Sequence, residues 1–303
     1  MNSVKPVYKA IIPVAGLGTR MLPATKAIPK ELLPIYDRPL IEHVVKEAIE
    51  GGVREIILVT RSGKEAIENH FDAHYELEHR LVKKGKDKIL EDIVKIIPDE
   101  VKISSIRQAD ALGLGHAILC AKHLINDEPF AVLLPDVLVL DKKIRKKSSS
   151  FLELIKAWNN TGISQVMVEQ VDSKSIEKYG IVDPRVKTIN TLDTFPLRGL
   201  IEKPNPQDAP SDLAVLGRYV LSPNLFGLCE NLKPGVGGEI QLTDALSKLL
   251  ILEGLNALKT DADIYDCGNK LGYLIANLAI GMRDPKSRPT ISAFFNKLIE
   301  DDF

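Results

Sequence analysis

Little in this chain marks it for a special environment. It has three cysteines, Cys120, Cys229 and Cys267, in 303 residues. They are odd in number, widely spaced and form no C-x-x-C pair, which argues against a disulfide framework or a zinc knuckle and fits a reducing compartment. Aromatic residues are scarce at 5%, and none is interleaved with the basic clusters Lys83, Lys84, Lys86, Lys88 and Lys142, Lys143, Arg145, Lys146, Lys147. Surfaces that stack single-stranded bases need that interleaving, so both clusters read as solvated turns. Neither sign of charge dominates: 40 basic side chains face 41 acidic ones, a net charge of -1. No long-range field therefore draws in nucleic acid or an anionic membrane, and any anion must be bound locally. Long apolar runs are missing too. Leu271 to Met282 is the longest uncharged apolar stretch, well short of the roughly 20 residues that span a bilayer. Met1 to Lys9 carries charge and lacks the apolar core of a secretory signal. The expectation is a cytoplasmic protein with no nucleic-acid and no membrane partner.

What is present is an alternation. Ala10 to Val14, Glu55 to Val59, Val101 to Ile106 and Phe130 to Leu134 are short β-branched or apolar runs. Between them lie segments of helical period at Leu40 to Glu50, Glu65 to Leu81 and His116 to Leu124. That is the βαβ rhythm of a mainly parallel sheet covered by helices, an α/β class. Ile67, Phe71, His74, Leu77 and Leu81 recur every three or four residues, predicting one helix with its stripe on the sheet. After about residue 162 strand-like pieces follow one another (Gln165 to Val171, Gly180 to Val182, Gly199 to Glu202, Ala214 to Val220), and helices return at Ile240 to Leu252, Leu271 to Met282 and Ile291 to Ile299. No linker separates the parts. The expected organisation is a single domain over 1–303, in three parts: about 1–160, a strand-rich lobe over 161–270, and C-terminal helices over 271–303.

The first strand runs into Ala15-Gly16-Leu17-Gly18-Thr19-Arg20, where two glycines let backbone N–H groups approach an anion. Two familiar phosphate loops fail here. Met21 stands where the dinucleotide fingerprint needs its third glycine, and the Lys-Ser/Thr pair of the P-loop is missing. Pro23, Pro29 and Pro34 interrupt any helix, so the segment reads as a long extended loop carrying the cations Arg20, Lys26 and Lys30.

That loop, with Pro29-Lys30-Glu31-Leu32-Leu33-Pro34 after Gly18-Thr19-Arg20, closely resembles the start of the sugar-1-phosphate nucleotidylyltransferases. The resemblance spans almost the whole chain and implies a Rossmann-like nucleotidyltransferase fold, a mixed, mainly parallel central sheet flanked by helices with a sugar-binding lobe of additional strands. It implies that Arg20 and Lys30 hold phosphates, that residues 15–19 cradle them, and that Gln108 with Gly113 reads the base. A glutamine amide pairs with N3–H and O4 of uracil, but turned over it also pairs with cytosine. A second contact must fix its orientation, and backbone groups at Ala15 and Gly16 are the candidates.

By the same resemblance Asp136, just past the Phe130 strand, and Asp266 hold Mg²⁺, which takes one or two carboxylates plus phosphate oxygens and water. Val137 follows Asp136 where several branches of the family place an acidic or polar residue, so Asp136 is the sole carboxylate of that loop. Gly180, Glu202 and Lys203 match the sugar site. Glu202 suits hydroxyls, and the Lys203 ammonium suits the phosphate. Leu134-Pro135-Asp136-Val137, Gly238 to Ala245 and Asp266 to Tyr273 are similar to the branch that makes UDP-glucose and pyrophosphate from UTP and glucose 1-phosphate. The implied assembly is a homodimer or homotetramer. Thymidylyl transfer to the same sugar phosphate, or a weakly active regulatory relative that binds UDP-glucose, are the competing readings.

Overall fold

The computed structural model describes residues 4–142, 149–235 and 238–300. Sequence readings that fall on Met1, Asn2, Ser3, on Lys143, Arg145, Lys146, Lys147 and on Asp301, Asp302, Phe303 lie outside the described residues.

The chain opens with β1 (Lys9–Pro13), a small hairpin of β2 (Pro34–Ile35) and β3 (Arg38–Pro39), α1 (Leu40–Glu50) and β4 (Glu55–Thr60). Next come α2 (Glu65–Phe71), α3 (Tyr75–Lys83), α4 (Asp87–Val94), β5 (Lys102–Arg107), α5 (Leu114–Cys120), α6 (Lys122–Ile125) and β6 (Phe130–Leu133). The second half holds β7 (Val137–Leu140), α7 (Ser150–Thr161), β8 (Ser164–Gln170), β9 (Gly180–Pro184), β10 (Thr194–Glu202) and β11 (Leu213–Leu221). It closes with α8 (Asn224–Glu230), α9 (Leu242–Glu253), β12 (Leu255–Lys259), β13 (Asp263–Asp266), α10 (Lys270–Arg283) and α11 (Arg288–Glu300).

Nine strands form one sheet in the order β5-β4-β1-β6-β11-β8-β12-β10-β9. β5, β4, β1 and β6 pair in parallel, as do β8 and β12. β11 and β10 run against their neighbours, so the other seven strands share one direction, the mixed and mainly parallel arrangement expected. Apolar residues of β1, β4 and β6 are wholly buried, including Ile11, Ile12, Ile56, Leu58 and Val132. α1, α2 and α7 cover one face through Ile41, Val44, Ile67 and Phe151. The other face is covered by α5, α8 and α9 through Ile118, Phe226 and Leu246. Among the described residues, no helix is long and apolar enough to cross a membrane.

Two sequence readings need correction. The helix expected over 65–81 breaks between Phe71 and Tyr75, where the His74 side chain caps α3 by accepting from the Leu77 N–H at 3.3 Å. Ile67 and Phe71 pack on the core, but Leu77 is exposed and α3 has no fully buried residue. A side chain that satisfies a free backbone donor outweighed the continuity of the stripe. The proline-rich segment after Gly18 is also not extended. It winds through three short 3₁₀ turns at Thr19–Met21, Ala24–Lys26 and Lys30–Leu32, because prolines that stop an α-helix still suit the φ of a turn. The strands β7, β12 and β13 and the helices α7 and α8 had no clear sequence signal.

Candidate active site

Four neighbouring parallel strands end on the same side, and each hands over one piece of the site, as the carboxyl ends of parallel strands do. β1 leads into the Ala15–Thr19 loop, β4 into Arg61, β5 into Gln108 and β6 into Asp136. Together they line a cavity of about 410 Å³ that includes Ala15, Gly16, Leu17, Gly18, Thr19, Lys30, Arg61, Gln108, Gly113 and Asp136. The residues expected to cradle the nucleotide and read its base, with Lys30, are therefore in one place, whereas Arg20 lines the neighbouring cavity. Arg61 is an addition; its only signal was a cation two residues beyond the run Glu55 to Val59. Lys26 is exposed and lines neither this cavity nor the next.

Gly113 admits a neighbouring segment. A side chain there would meet Glu239 Cβ at 2.8 Å and the Ile240 carbonyl oxygen at 2.9 Å. That contact fastens the 239–240 segment to the cavity rim, with the Ile240 N–H donating to Leu112 O at 2.8 Å and the Gly115 N–H to Ile240 O at 2.9 Å.

A second cavity, of about 350 Å³, shares Leu114, Leu134 and Asp136 with the first and adds Arg20, Glu169, Tyr179, Gly180, Glu202, Lys203, Thr243 and Asp266. β9 and β10 place Gly180 directly opposite Glu202. The Thr243 hydroxyl donates to Glu202 Oε2 at 2.6 Å, and Lys203 Nζ lies 3.5 Å from Oε1. Lys203 itself sits at φ +46, with its N–H donating to Tyr179 O at 3.1 Å. A left-handed backbone at a non-glycine residue costs on the order of 1 kcal/mol or more and clusters at ligand-binding positions. Thr243 and Tyr179 were not singled out in the sequence, although Thr243 lies within the Gly238 to Ala245 segment and Tyr179 adjoins Gly180.

The two cavities meet at Asp136, and a second carboxylate, Asp266, stands beside it on the wall of the second cavity. Asp136 and Asp266 are far apart in sequence and are joined by the antiparallel pairing of β7 with β13, which sets Asp266 against Val137. The Cys267 N–H donates to Asp136 O at 2.8 Å. Lys30 Nζ lies 2.7 Å from Asp136 Oδ2, and Arg20 reaches Asp136 Oδ2 at 3.5 Å and Asp266 Oδ2 at 3.4 Å. Burial alone would raise the Asp136 carboxyl, but Lys30 and then Arg20 hold it below the usual carboxylate range, so it stays ionised. Gly268 keeps the space between these groups open. A side chain there would come within 2.6 Å of Arg20 Nη2, 2.9 Å of Asp136 Oδ2 and 3.0 Å of Asp266 Oδ1.

Glu169, on the wall of the second cavity, carries a measurable consequence. Burial pushes its carboxyl from the ordinary 4.5 to about 7. A folded pKa above the unfolded one means that the group favours the folded state fully below about pH 4.5 and loses that contribution as pH rises through about 7. Thermal melts from pH 5 to 8 are expected to show wild type losing roughly 1–2 kcal/mol relative to Glu169→Gln, a figure discounted for partial exposure. Parallel pH profiles would overturn it.

The sequence pattern of the nucleotidyl transferase family matches residues 9–282. With strands, loop and paired carboxylates in this arrangement, the chain belongs to that family. Among its relatives are the UTP–glucose-1-phosphate uridylyltransferases of Haemophilus influenzae, 46% identical over 96% of this chain and 98% of that one, and of Escherichia coli K12, 46% identical over 98% and 96%. A solved structure of UTP-bound UGPase from Acinetobacter baumannii superposes with a TM-score of 0.88 at 44% identity, covering 98% of this chain and all of the other. A more distant solved structure from Bacillus anthracis, at 21% identity and a TM-score of 0.69 over 89% of this chain and 94% of that one, shares the fold.

Proposed function

We propose that this chain transfers UMP from UTP to glucose 1-phosphate, giving UDP-glucose and releasing pyrophosphate. The observation that carries the reading is the meeting of two cavities at Asp136, one rimmed by a glycine loop and cations, the other by Glu202 and Lys203. The names and near full-length identity of the uridylyltransferase relatives support the same assignment.

In this mechanism UTP lies in the first cavity, with its triphosphate along residues 15–19 and its base toward Gln108 and Gly113. Glucose 1-phosphate lies in the second, its hydroxyls accepted by Glu202 beside the Gly180 backbone and its phosphate drawn in by Lys203. A phosphate oxygen of the sugar attacks the α-phosphorus, and the bond to the β-phosphate oxygen breaks. No protein nucleophile or general base takes part, because a phosphate monoester near pH 7 is already largely an anion. Arg20 and Lys30, which face the two carboxylates in this structure, are placed to exchange them for the oxygens of the departing pyrophosphate. Positioning and charge stabilisation then supply the rate.

Asp136 and Asp266 offer hard oxygen donors on either side of the gap that Gly268 leaves, which suits Mg²⁺ completed by phosphate oxygens and water. Bound there, Mg²⁺ would supply neutralisation of the phosphate charge.

A homodimer or homotetramer in the cytoplasm completes the proposal, consistent with exposed Leu271, Leu274, Phe294 and Phe295 on the last two helices; sedimentation tests the assembly. The activity is tested by pyrophosphate release with Mg²⁺, glucose 1-phosphate and each of UTP, dTTP, CTP, ATP and GTP. Preference for UTP is expected. Preference for dTTP would move the chain to thymidylyl transfer, and silence with all five despite UDP-glucose binding would make it a regulatory binding protein.

A further inference from the structure

An amide that reads a pyrimidine must be held one way round, and Gln108 is held. The residue is 7% exposed and lines the nucleotide-side cavity. Both side-chain hydrogen bonds it makes among the described residues use Nε2, which donates to Gly113 O at 3.2 Å and meets His116 Nδ1 at 3.0 Å. A carbonyl oxygen only accepts, so the amide must face Gly113 with its NH₂ group and not its oxygen. His116 agrees with that orientation: with Nδ1 accepting, its ring proton sits on Nε2, which faces Cys120 Sγ at 4.0 Å. Both amide hydrogens are turned inward. Oε1 is the polar atom of this side chain left for a ligand.

The expected orienting groups were the backbone at Ala15 and Gly16. Among the described residues neither hydrogen-bonds the Gln108 side chain, whereas the turn into α5 brings Gly113 and His116 to it.

We propose that His116, together with the Gly113 carbonyl, locks the Gln108 amide so that Oε1 alone faces the base, and that this lock selects a pyrimidine bearing N3–H over cytosine. The proposal rests on the reading of the first cavity as the nucleotide site. Uracil donates N3–H to Oε1. Cytosine presents a lone pair at N3, which sets two acceptors against each other in a partly dry site. The cost of one such unmet pairing is a roughly 10- to 100-fold loss of binding. Thymine shares N3–H with uracil, so the lock leaves UTP and dTTP undivided. His116 does not line the cavity; it is a positioning residue acting through Gln108.

The test measures equilibrium binding of UTP, CTP and dTTP by calorimetry to wild type, His116→Leu and His116→Asn, alongside UMP transfer to glucose 1-phosphate. Wild type is expected to prefer UTP over CTP by roughly 10- to 100-fold. His116→Leu frees the amide to turn over and collapses that ratio to a few-fold, while the UTP-to-dTTP ratio stays in place. Asparagine presents an acceptor near the position of Nδ1 and restores the discrimination. The lock is overturned if His116→Leu keeps the wild-type UTP-to-CTP preference, if wild type has none, or if the dTTP ratio moves as far as the CTP ratio. Wild type that binds with the expected preference yet transfers no UMP upholds the lock and sinks the transferase reading; wild type that binds none of the three sinks both.

Discussion

Lys203→Ala is expected to lower kcat/KM for glucose 1-phosphate by roughly 10²–10³-fold, the loss typical when one fixed donor to developing phosphate charge is removed. Its ammonium is the only cation adjoining Glu202 among the described ion pairs, and 60% of the side chain is exposed. Little packing is lost on truncation, and alanine inherits the same backbone with the same φ of +46. The melting temperature is therefore expected to stay within a degree or two of wild type, as for surface changes that touch no special feature. Steady-state kinetics with UTP saturating and the sugar phosphate varied, read beside a thermal melt, checks both halves. A near-normal rate removes Lys203 from the mechanism.

Arg218→Met is expected to destabilise the fold by about 3–5 kcal/mol, the cost of stripping one partner from a buried ion pair. Arg218 has no solvent exposure. Nε and Nη2 each donate to the Glu47 carboxylate at 2.8 Å, Nη1 reaches Leu134 O at 3.0 Å and Gly217 O at 3.3 Å, and Nη2 reaches Val137 O at 2.6 Å. All five guanidinium protons are used. Methionine fills the volume but strips Glu47 of its guanidinium donors and removes the side-chain contacts to three carbonyls, of which Gly217 O keeps the Leu134 N–H at 2.9 Å. Burial already pushes the Glu47 carboxyl above its ordinary value, so without Arg218 it takes up a proton. A fall in melting temperature of roughly 10 °C follows from that energy at this chain length. The pair Arg218→Met with Glu47→Leu separates fold from function: two apolar residues restore most of the stability, while the loop from Leu134 to Val137 loses its clamp and transfer stays slow. Full recovery of rate in the double variant would show that Asp136 needs no such support.

The carboxyl-end loops of the first four parallel strands were legible because their signals are local. Gly16, Gly18, Arg20 and Lys30 lie within one loop, and Asp136 directly follows an apolar run. Arg218 was not legible. It looked like one charge inside a strand, and its meaning comes from a shift of register between Val215 and Tyr219 that turns it under a loop from another strand. Likewise Asp266 reaches Asp136 only through the β7–β13 pairing, and neither short strand has a strong pattern of its own. His116 fell within the segment that follows Gln108 and resembles a base-reading element, but no role for its ring was legible until the fold brought it onto Gln108. Non-local pairings decide such contacts, and periodicity along the chain does not encode them.

The Arg218 clamp divides the site into parts that differ in evolvability. The carboxylate loop is bolted through β11 to α1, so substitutions that shift it are paid in stability of the whole sheet. Gly180 and Glu202 sit on β9 and β10, with Lys203 just past β10, at the outer end of the strand order, where a changed side chain leaves the Arg218 clamp untouched. Descendants of this fold that accept a different sugar can therefore arise by drift along that outer edge, with the phosphate chemistry inherited unaltered.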